Sequence, residues 1–310
     1  MPAKRSLTLA LALLLVAAIP ARAAGFPAMT IAADIQPGSN SATPLWSAGR
    51  LGDYLYTTAD DGVTGYELWR TNGVTSTRVA DINTSGTDSS YPSGFTALGG
   101  YLYFSANDGT HGAELWRTDG TTTELVRDIN THGATTDSSD PSNFTALGGY
   151  LYFSADNGTI GNELWRTDGT AGGTTLVKNI NETGTAGVND STPLTFTALG
   201  DYLYFQANDG TNPGLWRTDG TITESVPFPV AGQSIDCDCY DTNIVAVGGR
   251  LYTTVYSNAI GYEFAYLDEP TYVLPGTNRD GSLWTTTLVI LAGLTAAASI
   301  GLRVRGAKRA

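Results

Sequence analysis

Apolar residues along most of this chain come in short runs, each closed by Gly-Gly, Asp-Gly or Asn-Gly. The stretch from Phe95 shows the pattern in full. Phe95-Thr96-Ala97-Leu98 ends in Gly99-Gly100, and Tyr101 to Ala106 ends in Asn107-Asp108-Gly109. Glu114 to Thr118 ends in Asp119-Gly120, and Thr121 to Ile129 follows. Such dipeptides are hairpin-turn sequences, because tight hairpin turns need positive φ. The unit therefore reads as four antiparallel strands.

The unit repeats. Asp34 to Ala80, Asp81 to Arg127, Asp128 to Lys178 and Asn179 to Pro227 are four copies, and Phe228 to Pro270 is a degraded fifth. Trp69, Trp116, Trp165 and Trp216 mark the period, at spacings of 47, 49 and 51. The second strand is apolar on consecutive residues, as in Tyr101-Leu102-Tyr103-Phe104, Tyr150-Leu151-Tyr152-Phe153 and Tyr202-Leu203-Tyr204-Phe205. A sheet with one wet face would alternate, so both faces must be covered. Four-stranded units of this length, buried on both faces, stack radially as propeller blades. The expectation is an all-β chain over residues 29–270, a single closed β-propeller of five four-stranded blades. Met29 to Ile35 resembles a fourth strand without the three before it. In a closed ring it would pair with the third strand of the last blade, around Tyr262 to Tyr266.

Glu114 to Thr121 and Glu163 to Thr170 are full ELWxxDGT sequences, Glu67 to Val74 reads ELWRTNGV, and Gly214 to Thr221 keeps LWRTDGT. The fifth copy has Glu263-Phe264-Ala265 and no Trp. Over Asp34 to Pro270 the chain thus resembles the ELWxxDGT-repeat proteins. That resemblance implies an exported bacterial surface protein with a propeller-like fold, and it brings no catalytic residue.

The two ends carry export and anchoring signals. Lys4 and Arg5 precede an uncharged run of 13 residues, Leu7 to Ile19, and Ala21-Arg22-Ala23 has small residues where a signal peptidase reads. Residues 1–23 are expected to be a cleaved signal peptide. Leu283 to Leu302 is a run of 20 residues without a charge, enough for a transmembrane helix of roughly 30 Å. Arg303, Arg305, Lys308 and Arg309 follow it, so residues 303–310 are expected inside the cell and the repeats outside. The linker 271–282 holds Leu274-Pro275-Gly276-Thr277-Asn278. With the span and the basic tail, this resembles the LPxTG sorting signal of sortase substrates, with Asn278 in place of the usual Gly. The resemblance implies a sortase as partner and cleavage between Thr277 and Asn278.

Between the ends the chain is acidic. Residues 24–277 hold 29 Asp and Glu against 9 Lys and Arg, a net charge of −20. Such a surface repels polyphosphate, which excludes nucleic acid as a partner. Cys237 and Cys239 are too close for an unstrained disulfide and lie among Asp236, Asp238 and Asp241 in no recognised metal-ligand spacing. No cofactor motif occurs. Asp60, Asp61, Asp108, Asp156 and Asp209 recur near the turn between second and third strands and are candidate weak calcium ligands. The competing reading is that hairpins need these residues.

Catalytic chemistry is sparse. The expected innermost strands are Leu45 to Ala48, Phe95 to Leu98, Phe144 to Leu147, Phe196 to Leu199 and Ile244 to Val247, and they hold no Asp, Glu, His, Lys or Cys. His111 and His132 fall in loops, outside any Ser-His-Asp or HExxH spacing. The expected function is a non-catalytic, surface-displayed binding, adhesion or envelope scaffold protein, meeting a glycan or a protein. The alternative is a loop-based carbohydrate-active enzyme, which would need paired carboxylates from neighbouring blades. The uneven loops joining one blade to the next are expected to share one end with the turns at Asp60-Asp61, Asn107-Asp108, Asp156-Asn157 and Asn208-Asp209.

Overall fold

The computed structural model describes residues 35, 47–133, 137–183, 190–227, 244–257, 261–268 and 288–291. All of them belong to the compact unit Ala32–Ala310, and the other unit, Met1–Ile31, lies outside the described residues. Five antiparallel sheets follow one another, each with its four strands in chain order. Sheet 1 is β1 (Ala48–Leu51), β2 (Tyr54–Asp60), β3 (Tyr66–Thr71) and β4 (Ser76–Ala80). Sheet 2 is β5 (Ser93–Leu98), β6 (Tyr101–Asn107), β7 (Ala113–Thr118) and β8 (Thr123–Arg127). Sheet 3 is β9 (Ser142–Leu147), β10 (Tyr150–Asp156), β11 (Asn162–Thr167) and β12 (Thr175–Lys178). Sheet 4 is β13 (Leu194–Leu199), β14 (Tyr202–Asn208), β15 (Pro213–Thr218) and β16 (Thr223–Ser225). Sheet 5 is β17 (Val245–Val247), β18 (Arg250–Ser257), β19 (Gly261–Asp268) and β20 (Leu288–Leu291). The first strands of successive sheets lie side by side, the arrangement of a β-propeller. Thr96 Oγ1 donates to Phe144 O at 3.4 Å and Thr197 Oγ1 to Ile244 O at 2.6 Å, tying inner strands together.

The doubly apolar second strand is explained by the packing. One face of each sheet offers Tyr and Leu, and the facing side of the next offers Leu, Phe, Ala and Trp. Tyr56 and Leu68 meet Leu102, Phe104, Ala106 and Trp116 between sheets 1 and 2. Tyr103 and Leu115 meet Leu151, Phe153, Ala155 and Trp165 between sheets 2 and 3. Tyr152 and Leu164 meet Leu203, Phe205, Ala207 and Trp216 between sheets 3 and 4. The core is therefore a series of like interfaces, each nearest-neighbour only.

The ELWRTDGT sequence is a set of fasteners for this stack. Leu115 is fully buried. Arg117 stacks over the Tyr101 ring, 4.2 Å from its centroid, and its Nη1 donates to Gly169 O of the next sheet at 2.7 Å. Arg70 and Arg166 make the same bond to Gly120 O and Gly220 O, at 2.9 and 2.7 Å. Asp119 Oδ1 accepts from the N–H groups of Thr121 and Thr122, both at 2.7 Å, and closes the turn in which Gly120 sits at φ 89°. Glycine is required there by that φ and by space, since a Cβ would run into the Tyr56 hydroxyl and Arg70 of sheet 1. Replacing Arg117 with alanine is expected to cost about 2 kcal/mol, chiefly from the hydrogen bond to Gly169 O and the cation–π contact, since the exposed ion pair with Glu124 adds little. Lysine should recover little, because it has no planar fork to stack and donate at once. A urea midpoint unchanged in Arg117→Ala would refute the fastening role.

Three expectations need correction. The first strand of sheet 1 is Ala48–Leu51, not Leu45 to Ala48, because the Gly52-Asp53 turn fixes where the strand ends just as Gly99-Gly100 does after Leu98. The fourth strand of the last sheet is Leu288–Leu291, whose residues pair with β19 from Phe264↔Leu291 to Leu267↔Leu288. It comes from within the segment expected to be a transmembrane helix and takes the edge expected for Met29 to Ile35. Leu-Val-Ile-Leu is apolar without a period, so it fits a strand edge as readily as a span. No described helix is long and apolar enough to cross a membrane. The rest of 283–302, and Met29 to Asp34, lie outside the described residues. Finally, the faces that ring closure would bury are open. Phe264 is 68% exposed where Leu115 is 0%, and Leu55 is 39% exposed where Leu102 is 0%.

Candidate functional site

One end of the stack carries the long connectors and the turns between second and third strands, as expected. Ser90 joins them. Its N–H donates to Tyr66 O of sheet 1 at 3.0 Å, and its carbonyl accepts from Asn107 N of sheet 2 at 2.9 Å. Ser139 and Ser191 repeat the arrangement through Ala113 O and Asp156 N, and through Asn162 O and Asn208 N.

Beneath each serine lies a buried glutamate, the first residue of the ELW sequence. Glu114 is fully buried. It accepts from Ile129 N at 2.8 Å, Ser139 N at 2.9 Å and Ser139 Oγ at 2.6 Å. Glu67 accepts from Ile82 N at 2.7 Å, Ser90 N at 3.0 Å and Ser90 Oγ at 2.6 Å. Glu163 accepts from Ile180 N at 2.7 Å and Ser191 Oγ at 2.6 Å. Each carboxyl thus pins both ends of a connector to the third strand below it. Burial raises all three above the usual carboxylate range, Glu114 to about 7, although the hydroxyl and amide donors pull the other way. The sequence reading assigned no role to these glutamates. The signal was there: a carboxylate inside a strand buried on both faces needs partners, and a Ser follows each by 23, 25 or 28 residues.

The five candidate calcium residues are distributed along the turns, each half-buried. Asp60 Oδ1 accepts from Gly62 N, and Asp61 Oδ1 from the N–H groups of Val63 and Thr64. Asp156 Oδ1 accepts from Gly158 N, and Asp209 Oδ1 from Thr211 N and Asn212 N. Asp108 Oδ1 takes Thr110 N and His111 N, while its Oδ2 sits 2.8 Å from His111 Nδ1. Burial works against ionisation of Asp108, but the ring and amide donors outweigh it and hold the carboxyl below its usual range. The same bond pushes the His111 pKa up. One oxygen of each aspartate is thus committed to its own turn. Among the described residues no group of three His, Cys, Asp or Glu is placed to hold a metal. Calcium and magnesium at millimolar levels are therefore expected to shift the melting temperature equally, by diffuse screening. A larger rise with calcium alone would reveal a native-state site.

Carboxylates raise one another at three places among the described residues, Asp81 on Glu67, Asp128 on Glu114 and Asp156 on Asp140. Asp140, at φ 46° beside Pro141, is held above its usual range by burial and by the charge of Asp156 from the next sheet. Among the inner strands an open cavity of about 370 Å³ is lined by Phe95, Phe144, Phe196, Thr96, Asn143 and Ser47, with no ionisable group in its lining. The sorting-signal residues Leu274, Pro275, Thr277 and Asn278, and Cys237 with Cys239, lie outside the described residues.

No family model matches this chain, and no curated protein matches it. Solved structures do match. One comes from a study of two prolyl endopeptidases, at 12% identity and TM-score 0.45, over 76% of this chain and 33% of that one. A puromycin-hydrolysing peptidase of Mycobacterium tuberculosis matches at 12% identity and TM-score 0.45, over 73% of this chain and 37% of that one. A putative TolB of Agrobacterium tumefaciens matches at 13% identity and TM-score 0.37, over 73% and 78%. The chain spans about a third of the length of the two peptidases, and nothing about its chemistry follows from these likenesses.

Proposed function

We propose that this protein is an exported, surface-held binding module without catalytic activity, meeting a glycan or a protein with its connector end. One observation carries the reading. Buried glutamates clamp both ends of each described connector, while the residues between the clamps differ from copy to copy. A rigid frame with variable loop tips is the usual construction of a recognition surface. In this reading residues 1–23 direct export, 283–302 cross the membrane, and cleavage after Thr277 hands the body to the envelope. The test is a glycan array and a cell-binding assay on the full chain, with connector tips 84–87 and 131–136 exchanged for Gly-Ser. Binding should fall at least tenfold at unchanged melting temperature. Binding untouched by both exchanges would sink the proposal.

A second reading, a carbohydrate-active enzyme, has the Asp140–Asp156 pair in its favour. A carboxyl raised by burial and by a second carboxyl beside it is a feature that glycoside hydrolysis uses for its general acid. Polysaccharide turnover abolished by Asp140→Asn would support it, and absence of turnover in the unaltered chain would remove it.

A further inference from the structure

The inner strands bend where they begin. In sheets 2, 3 and 4 a bulge breaks the register with the second strand, between Ser93 and Thr96, Ser142 and Thr145, and Leu194 and Thr197. A residue of each bulge is left-handed: Gly94 at φ 73°, Asn143 at 57° and Thr195 at 56°. Glycine is at ease there, whereas a β-branched threonine is strained. A bulge re-aims the side chain beside it. In all three sheets that side chain is a phenylalanine, and Phe95, Phe144 and Phe196 share the wall of the cavity of about 370 Å³. Sheet 1 has no such ring. Its inner strand ends at Leu51 before Gly52 as β5 ends at Leu98 before Gly99, which puts Ala48 where Phe95 stands. The rest of the wall is polar and uncharged. Thr96 and Thr197 commit their hydroxyls to Phe144 O and Ile244 O. Thr145, the same residue of sheet 3, lines the cavity with a hydroxyl that has no partner among the described residues. Asn143 donates through Nδ2 to Ser154 Oγ and Pro193 O at 3.1 and 3.2 Å, and its Oδ1 accepts from no described residue. Ser47 Oγ accepts from Gly94 N at 3.0 Å and keeps its own proton to donate. Gly94 and Asn143 follow directly on the connectors, so the cavity lies at the connector end.

We propose that this cavity seats a neutral saccharide of one or two rings. The inference rests on the binding-module reading of the preceding subsection and gives that module a ligand class and a place. The phenyl rings offer apolar surface to the C–H groups of a pyranose. The Thr145 hydroxyl, Asn143 Oδ1 and the Ser47 hydroxyl between them donate and accept, and sugar hydroxyls do both. A purely apolar ligand would leave those oxygens without partners. A charged ligand would give up its hydration and find no counter-charge in the wall. For uronic acids and phosphates the net charge of −20 on residues 24–277 adds repulsion. The volume lies at the low end of small-molecule sites, roughly 300–1,000 Å³, and suits a short ligand. The strained bulges point the same way. Left-handed residues other than glycine cost stability and cluster at ligand sites. At position 143 glycine would relieve the backbone, but only asparagine brings the carbonyl oxygen that lines the cavity.

Calorimetric titration of the full chain decides it. The probes are cellobiose, maltose, lactose and N,N′-diacetylchitobiose, beside digalacturonate and the cationic dimer of glucosamine. At least one neutral disaccharide is expected to bind with a Kd below about 1 mM, and neither charged dimer. Thr145→Val keeps the side-chain volume and removes one hydroxyl. Ala48→Trp narrows the cavity and removes no hydrogen-bonding group. Each should weaken the neutral sugar at least about tenfold at unchanged melting temperature. Thr145→Val decides alone if the larger side chain at position 48 disturbs the strand. Sugar binding that the variants leave intact overturns the cavity, and its fall on exchange of the connector tips then keeps the binding module. Preference for a charged dimer overturns the neutral class. A chain that binds cells but no disaccharide overturns the inference and leaves the module standing. A chain that binds neither sugars nor cells overturns both.

Discussion

Glu114→Ala is expected to destabilise the protein by about 2–4 kcal/mol, because it strands the N–H of Ile129 in the interior and leaves the Ser139 N–H and hydroxyl only their longer bonds to Ala113 O. Each such group costs about 1–3 kcal/mol when unpaired, and partial relaxation of the connector returns some of the sum. For a domain of this size that is a fall in melting temperature on the order of 10 °C. Glu114→Gln should cost less, since its amide oxygen can still accept from Ile129 N and Ser139 Oγ, while its N–H₂ then faces the Ser139 N–H, which keeps its bond to Ala113 O. A loss below about 1 kcal/mol for alanine, in the range of an ordinary surface change, would show that the connector is not held by this carboxyl. The pH response follows from the same group. Folded Glu114 keeps its proton up to about pH 7, while the unfolded chain releases it near 4.5. The native state then binds more protons, so this group's contribution falls as pH rises from 4.5 to 7. Glu67 and Glu163 act in the same direction. Asp61 and Asp108, held below the usual range, act oppositely at lower pH, losing their contribution as pH falls through their folded values. Stability should therefore be greatest in mild acid, and Glu114→Gln should flatten the decline toward neutrality.

Phe153→Ala is expected to cost about 3–5 kcal/mol, the range for removing a buried aromatic ring. Phe153 is fully buried between sheets 2 and 3, with the Phe144 ring 5.7 Å away. Phe264→Ala in lipid-free protein should cost under about 0.5 kcal/mol, because that ring lies mostly in water. The contrast in urea unfolding measures whether the stack is open at sheet 5. Equal losses at the two positions would mean that Phe264 is packed in solution.

The internal repeat exposes a compensation that a single copy would hide. In sheets 1 to 4 an arginine of the third strand stacks on a tyrosine that opens the second, as Arg217 does on Tyr202 at 4.7 Å. In sheet 5 the two have traded strands, and Arg250 lies 4.5 Å over Tyr266. The contact survives the exchange, but the arginine no longer occupies the position that reaches the turn of the next sheet. On the other side of that junction, a Cβ at Gly73 would meet nothing within 4 Å, where Gly120 and Gly169 are covered by the preceding sheet. Among the described residues no such polar fastener joins sheet 5 to sheet 1.

By itself the sequence determined the all-β class, the five four-stranded units and the end on which the long connectors lie. These follow from local rules: positive φ at Gly-Gly and Asp-Gly, apolar runs covered on two sides, and a period marked by Trp. It also showed the turn role of Asp60, Asp61, Asp108, Asp156 and Asp209 as the simpler of two readings, since an Asx turn needs only residues two and three positions away. The tertiary structure alone decided what Glu67, Glu114 and Glu163 do. Their donors lie more than a dozen residues off in sequence, and only the folding-over of each connector brings an amide, a hydroxyl and a carboxylate into one dry site. It alone decided which strand ends the fifth sheet, because an aperiodic apolar run satisfies a sheet edge or a bilayer equally well, and the choice belongs to whichever surface is there to receive it.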